Sequence, residues 1–162
     1  MTLIKNQEKY CEDRRKKIKA EYKYPKMISF ENKTNYHGIV IVKDIDFSTK
    51  CEHHLVNIKG KAHIGWIPSN KLIGLSQVAR VVEWFCNPST AITQEAANQN
   101  IINFIETEAQ PLGVIVVMEA FHDCMSARGV KQRNAYTITS EIRGIFMNNP
   151  NAKEEFFTLM RL

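Results

Sequence analysis

The chain has 162 residues, of which 44% are hydrophobic and 24% charged, and its formal net charge is +5. This length and balance predict one soluble domain with a short extension, and they exclude a membrane-spanning protein because no apolar run is long enough to cross a bilayer. The modest positive excess favours an anionic ligand, such as a phosphorylated small molecule or a nucleic acid.

The first segment predicts a charged helix over residues 6–23 that ends near Pro25. Basic and acidic residues are interleaved there, which is typical of a solvated helix face with local ion pairs. No aromatic-basic motif accompanies the charges, so we expect no nucleic-acid partner. The chain turns charged at once, unlike a secretory signal peptide, and we therefore expect a cytoplasmic protein with reduced thiols and no membrane partner.

Two strands are predicted next. Residues 38–47 are β-branched and apolar, and residues 58–67 alternate between polar and apolar before a turn that begins at Pro68. The loop between the two strands carries the sequence Cys51-Glu52-His53-His54.

Two helices follow the second strand. The first opens at Leu75, with Ser76 as its expected N-cap, and is broken at Asn87-Pro88-Ser89. The second runs from about Thr93 to Ala109, with its isoleucines facing inward.

The last third predicts two more strands and a closing helix. Residues 114–121 are almost continuously apolar, residues 135–146 alternate, and residues 152–160 form a short helix. This order indicates an α+β fold, with a four-stranded antiparallel sheet and two helices on one face. Because the other face would be bare, we expect it to pack against another layer or another copy of the chain.

Two clusters indicate a metal site. Cys51-Glu52-His53-His54 and His122-Asp123-Cys124 supply two thiols and three imidazoles, which are the ligands that zinc prefers. Cys51 and His54 are three residues apart, so one turn can direct both at one ion, with Cys124 arriving from a distant part of the chain. Three protein ligands leave a position for water, as in catalytic zinc sites. A structural zinc site, and cysteines that only pack, are the alternatives.

The combination of motifs resembles the zinc-dependent GTP cyclohydrolase I family from about Asp46 to the C-terminus. The segments that carry the resemblance are CEHHL, GLSQVARVVE, the Gln94-Glu95 pair, GVIVVMEAFHDCMSARGV and TITSEIRGIF. It implies a tunnelling fold, in which subunits form an oligomeric β-barrel, usually a decamer of two stacked pentamers with active sites between subunits. It divides the chain into an N-terminal helical extension, residues 1–36, and a catalytic domain, residues 37–162.

The resemblance also implies a reaction. Water adds to C8 of the guanine of GTP, the imidazole ring opens, formate leaves, and the remaining atoms close into 7,8-dihydroneopterin triphosphate, a precursor in folate, tetrahydrobiopterin and 7-deazaguanine routes. The implied Zn²⁺ ligands are Cys51, His54 and Cys124. His122 would protonate the purine ring as water attacks, and His53 would serve later proton transfers, since the ordinary histidine pKa lies near neutral pH.

The resemblance further implies a nucleotide-binding set. Glu95 would accept hydrogen bonds from N1 and N2 of guanine, which discriminates guanine from adenine. Gln94 would shape the same pocket. Arg80 and Arg128 would lie near the triphosphate, and Ser76 near the ribose and phosphates.

The chain departs from the family pattern mainly around the phosphates. Gln77 stands where the family usually has lysine, and the segment at residues 86–90 differs and is lengthened by two residues. The segment at residues 56–59 and the N-terminal region also differ. We therefore keep two alternatives open: a same-fold zinc enzyme acting on dGTP or GMP, and a catalytically silent zinc- and nucleotide-binding protein.

Overall fold

A computed structural model of the protein describes residues 26–162. The predicted helix over residues 6–23 lies outside the described residues. The strands are β1 (Ser29–Glu31), β2 (Val40–Lys50), β3 (Asn57–Ile67), β4 (Lys71–Ile73), β5 (Gly113–His122) and β6 (Thr137–Gly144). The helices are α1 (Leu75–Phe85), α2 (Gln94–Ala109), α3 (Asp123–Ser126), α4 (Ile145–Asn148) and α5 (Pro150–Met160).

The main sheet has four antiparallel strands in the order β2-β3-β5-β6. The α+β class and the antiparallel sheet are thus confirmed. Strand β3 pairs with β5 from Ile58 to Ile67, so Ile58 near the start of β3 lies opposite His122 at the end of β5. This register brings the end of β2, the start of β3 and the end of β5 to one edge of the sheet.

Helices α1 and α2 cover one face of the sheet. Alternate residues of β3 and β5 point to this face, including Ile64, Trp66, Val116 and Met118, and all four are buried. They pack with the inward side of both helices, which contribute buried residues such as Val78, Val82, Ile101 and Ile105.

The opposite face is covered at one end by another layer, which is one of the two outcomes that the sequence predicted for it. Phe146 and Phe156, from α4 and α5, pack there against Ile67 of β3 and Ile115 and Val117 of β5. Helix α5 can lie close because β3 has a glycine, Gly65, whose added Cβ would come within 2.6 Å of the Phe156 ring. The closing helix therefore forms a second layer at one end of the sheet.

The differences from the sequence-based predictions concern short elements and one helix start. Strands β1 and β4 pair with each other in a second, two-stranded sheet that the sequence pattern did not predict. Gly74, in an extended conformation, is the residue before α1, so Ser76 is the second residue of that helix and not its N-cap. Thr93, in contrast, caps α2, since its side chain accepts a hydrogen bond from the Ala96 amide.

Residues 26–36 contribute β1, and the boundary of the proposed catalytic domain at residue 37 stays a prediction. Among the described residues, no helix combines the length and the apolar character needed to cross a bilayer.

Candidate metal centre and nucleotide pocket

The first cluster lies in the tight loop that joins β2 to β3. The Cys51 amide donates to the Val56 carbonyl at 2.8 Å, and the Leu55 amide donates to the Cys51 carbonyl at 2.8 Å. Leu55 takes a left-handed conformation, with φ at 53°, which lets the chain reverse within these few residues. The loop places Cys51 Sγ 3.8 Å from His54 Nδ1.

The second cluster reaches the same place through the sheet register. His122 is the last residue of β5, and α3 begins at Asp123 and carries Cys124. Because His122 lies opposite Ile58, just beyond the loop at Cys51, the helix delivers the Cys124 thiol to the first cluster. The donor atoms of Cys51, His54 and Cys124 all lie within 4.8 Å of one another.

These three side chains fit a zinc ion. Zinc–sulfur and zinc–nitrogen bonds of about 2.3 and 2.0–2.1 Å give a ligand-to-ligand distance of roughly 3.6 Å in a tetrahedron, close to the 3.8 Å between Cys51 and His54. In the metal-free chain, burial and the neighbouring Cys51 raise the pKa of the Cys124 thiol. A cation between the two sulfurs would favour their thiolate forms instead.

Cys86 shows the contrasting environment of a packing cysteine. Its side chain is 2% exposed in the core beside α1, and burial raises its pKa to about 12. Such a thiol stays protonated and inert at neutral pH.

His122 is held by the start of α2. Its Nε2 lies 2.8 Å from Oε1 of Gln94, the first residue of α2. The segment before α2 is itself attached to the end of β2, since the Lys50 amide donates to the Thr90 carbonyl and the Ile92 amide donates to the Lys50 carbonyl, both at 3.0 Å. The segment that leads into α2 and the loop that carries Cys51 and His54 are therefore both attached to the end of β2.

Glu95 and Arg128 act on this centre through their charges. Burial lowers the pKa of His122, and the negative charge of Glu95 opposes that effect, which places the carboxylate in the electrostatic range of the imidazole. The positive charge of Arg128 acts to lower the Cys124 pKa. Both side chains are exposed, so they are free to meet a ligand.

The remaining predicted site residues are less closely connected. His53 is exposed, and its ring centroid lies 6.3 Å from that of His54 in an edge-on arrangement. Ser76 and Arg80 are exposed on α1, and within residues 26–162 the structure records no hydrogen bond or ion pair from either to the metal cluster. Gln77, the residue at the lysine position, is buried.

Sequence reasoning missed two polar side chains behind His122. Thr139 of β6 lies 3.1 Å from the Gln94 amide nitrogen, and its hydroxyl also accepts from the amide of Asn98 at 2.7 Å. The side-chain amides of Gln94 and Asn98 are both buried. Polar residues at alternate positions of β6 and at the fifth residue of α2 were the available signal, but only the packing of α2 on β6 relates them.

Residues 4–161 match the model of the family described as GTP cyclohydrolase I. The chain belongs to the GTP cyclohydrolase I family. The GTP cyclohydrolase 1 of Hydrogenobaculum is 45% identical over 132 residues, which cover 82% of this chain and 71% of the relative. The Dictyostelium discoideum and human enzymes of the same name are 44% and 46% identical over 127 residues, or 78% of this chain. These matches span 54% and 50% of those two proteins.

A solved structure supports the fold alone. The archaeosine synthase QueF-Like in its apo form superposes with a TM-score of 0.54 at 11% identity, and the match covers 66% of this chain and 94% of that one. The shared architecture is therefore wider than the GTP cyclohydrolase I family.

Proposed function

We propose that the chain hydrolyses the guanine imidazole ring of GTP, releases formate and forms 7,8-dihydroneopterin triphosphate. The observation that carries this proposal is the convergence of Cys51, His54 and Cys124, with His122 and Glu95 beside them. Membership of the GTP cyclohydrolase I family supports it.

Cys51, His54 and Cys124 would hold a zinc ion, which would supply the Lewis acidity that makes water a usable nucleophile at neutral pH. His122 donates a proton to the purine ring as C8 is attacked, which lets the carbon–nitrogen bond open. Glu95 accepts from N1 and N2 of guanine and orients the base. His53, on the exposed side of the loop, serves the later proton transfers of ring closure.

The phosphates are bound by residues of α1 and of the segment after α3. Ser76, Arg80 and Arg128 are exposed and polar or positively charged, as a triphosphate site requires. Since neither Ser76 nor Arg80 bonds to the metal cluster within residues 26–162, we place them in a pocket that a second subunit completes. We propose a homodecamer of two stacked pentamers, with the sheets joined edge to edge as a tunnelling-fold barrel.

The departure at Gln77 favours a test of more than one nucleotide. A buried neutral amide replaces a cation there, and losing one charged contact to phosphate costs about 1.5–3 kcal/mol of binding. GMP or dGTP is the second candidate substrate.

The test is to incubate zinc-loaded protein with GTP, dGTP or GMP, and to follow pterin absorbance and formate. We expect stoichiometric formate and pterin from GTP, with Cys124→Ser inactive and Cys86→Ala active as the matched cysteine control. Product from dGTP or GMP in preference to GTP would change the substrate. Tight zinc and nucleotide binding without turnover of any of the three would show a silent binding protein instead.

A further inference from the structure

The Gln94 side chain is almost entirely enclosed and is bonded to the protein at both ends. It is 3% exposed. Its Nε2 lies 3.0 Å from the Met118 carbonyl and 3.0 Å from the Thr137 carbonyl, and 3.1 Å from Thr139 Oγ1. Carbonyl oxygens only accept hydrogen bonds, so the amide nitrogen must face them and Oε1 must face His122.

This orientation decides which ring nitrogen of His122 carries hydrogen. Gln94 Oε1 can only accept, and it lies 2.8 Å from His122 Nε2, so Nε2 must be the protonated atom. In the neutral imidazole Nδ1 is then unprotonated. We propose that Gln94 is a positioning residue that keeps hydrogen on Nε2 of His122, so that the proton given to the substrate leaves Nδ1 of the imidazolium and the ring that remains is the Nε2–H tautomer.

The same bonds argue against the substrate-binding role implied by the family resemblance. Both amide hydrogens of Gln94 are used by two protein carbonyls, and its oxygen is used by His122, so no donor remains for guanine. Glu95, the next residue, is exposed and is left to meet the base. Gln94, the first residue of α2, therefore holds His122, and Glu95, the second residue, faces the ligand.

The groups that contact Gln94 hold its side chain in a fixed position. Met118 lies on β5 and Thr137 on β6, and these strands pair with each other, so the carbonyls that hold Gln94 belong to two hydrogen-bonded strands of the main sheet. Asn98, one turn later on α2, donates to Thr139 Oγ1 and fixes the hydroxyl that packs against the same amide. Because His122 is hydrogen-bonded to the fixed amide of Gln94, its ring cannot easily flip and swap the positions of Nδ1 and Nε2.

The tautomer can be measured directly in the wild-type protein. The chain has five histidines, so ¹⁵N-histidine labelling of the zinc-loaded protein gives few imidazole signals, and His122→Gln identifies those of His122. We expect the neutral ring of His122 to show a protonated Nε2 and a bare Nδ1. A protonated Nδ1 with a bare Nε2 would overturn the proposal.

Kinetics separate positioning from substrate binding. Since the catalytic part of this inference rests on the proposed function, Gln94→Met should lower kcat on the order of 10²-fold with zinc content kept and KM for GTP changed less than about threefold. The matched control is Asn32→Leu, because Asn32 is also a buried amide that donates to two carbonyls, those of Tyr36 and Ser69, at 2.9 and 2.8 Å. It should keep kcat.

The outcomes are distinct. A raised KM with kcat retained would make Gln94 a substrate-binding residue, and unchanged kinetics would remove any role; either result overturns the proposal. If Gln94→Met fails to fold or loses zinc, the wild-type tautomer decides. If the wild-type protein makes no product from GTP, the proposed function fails, while the tautomer still tests the contact between Gln94 and His122.

Discussion

At the scale of single residues, side chains of the same type lie in different environments, and the proposed chemistry depends on that difference. Cys51 and Cys124 meet near His54, whereas Cys86 is enclosed by the core. The sequence pattern predicted that Cys51 and Cys124 converge near His54, because the spacing of these cysteines relative to histidine is informative. It could not rank the burial of Cys86, since that depends on how α1 packs.

This difference predicts a pattern of thiol alkylation. With the Cys86 pKa raised to about 12, its thiolate fraction at about pH 8 is on the order of 10⁻⁴. We expect iodoacetamide to modify half-buried Cys124 in metal-free folded protein and to leave Cys86 unmodified, as read by peptide mass spectrometry. Added zinc should protect Cys124. Rapid labelling of Cys86 in the folded protein would contradict its placement in the core.

Glu95 provides a second test at this scale. Replacing its carboxylate by an amide in Glu95→Gln removes the charged acceptor for guanine, and hydrogen bonds to charged groups contribute about 1.5–3 kcal/mol. We expect KM for GTP to rise roughly 10–100-fold with zinc content unchanged. Glu154→Gln, on the exposed side of α5, is the matched control and should leave KM as it is. Loss of zinc with normal KM would refute the assigned role.

At the scale of elements, long regular segments followed from sequence and short ones did not. The alternation in β3 and the continuous apolar run in β5 predicted both strands to within about one residue. Strands β1 and β4 have three residues each, too few to show a period, and they exist because they pair with each other. Ser76 was misplaced because the extended Gly74 starts α1 without a side-chain cap.

The docking of α5 gives the prediction at this scale. Phe156 is 0% exposed against β3 and β5, whereas the adjacent Phe157 is 40% exposed. Phe156→Ala should therefore lower the free energy of unfolding by about 3–5 kcal/mol. Phe157→Ala should cost clearly less. Urea unfolding of both variants at one protein concentration measures this, and equal losses would show that α5 does not pack as described.

At the scale of the whole molecule, residues 26–162 expose two strand edges and several apolar side chains. In residues 26–162, β2 and β6 are the outer strands of the main sheet, each with one edge unpaired. Tyr136 and Ile138, beside the end of the sheet that α5 does not cover, are 59% and 68% exposed. Unpaired edges and exposed apolar residues are typical of surfaces that assemble.

We therefore expect sedimentation velocity to show a ten-subunit particle at micromolar concentration, in keeping with a family that is generally oligomeric. Ile138→Lys places a charge on the uncovered part of the sheet and should shift the distribution towards smaller species. A wild-type monomer that turns over GTP at the full rate would contradict a pocket shared between subunits.

X-ray absorption at the zinc edge is the most direct test of the metal centre on which the proposed chemistry depends. Zinc in the wild-type protein should show two sulfur neighbours at about 2.3 Å and lighter neighbours at about 2.0–2.1 Å, with Cys124→Ser losing one sulfur or the metal. Zinc surrounded by nitrogen and oxygen alone would contradict a site built from Cys51, His54 and Cys124.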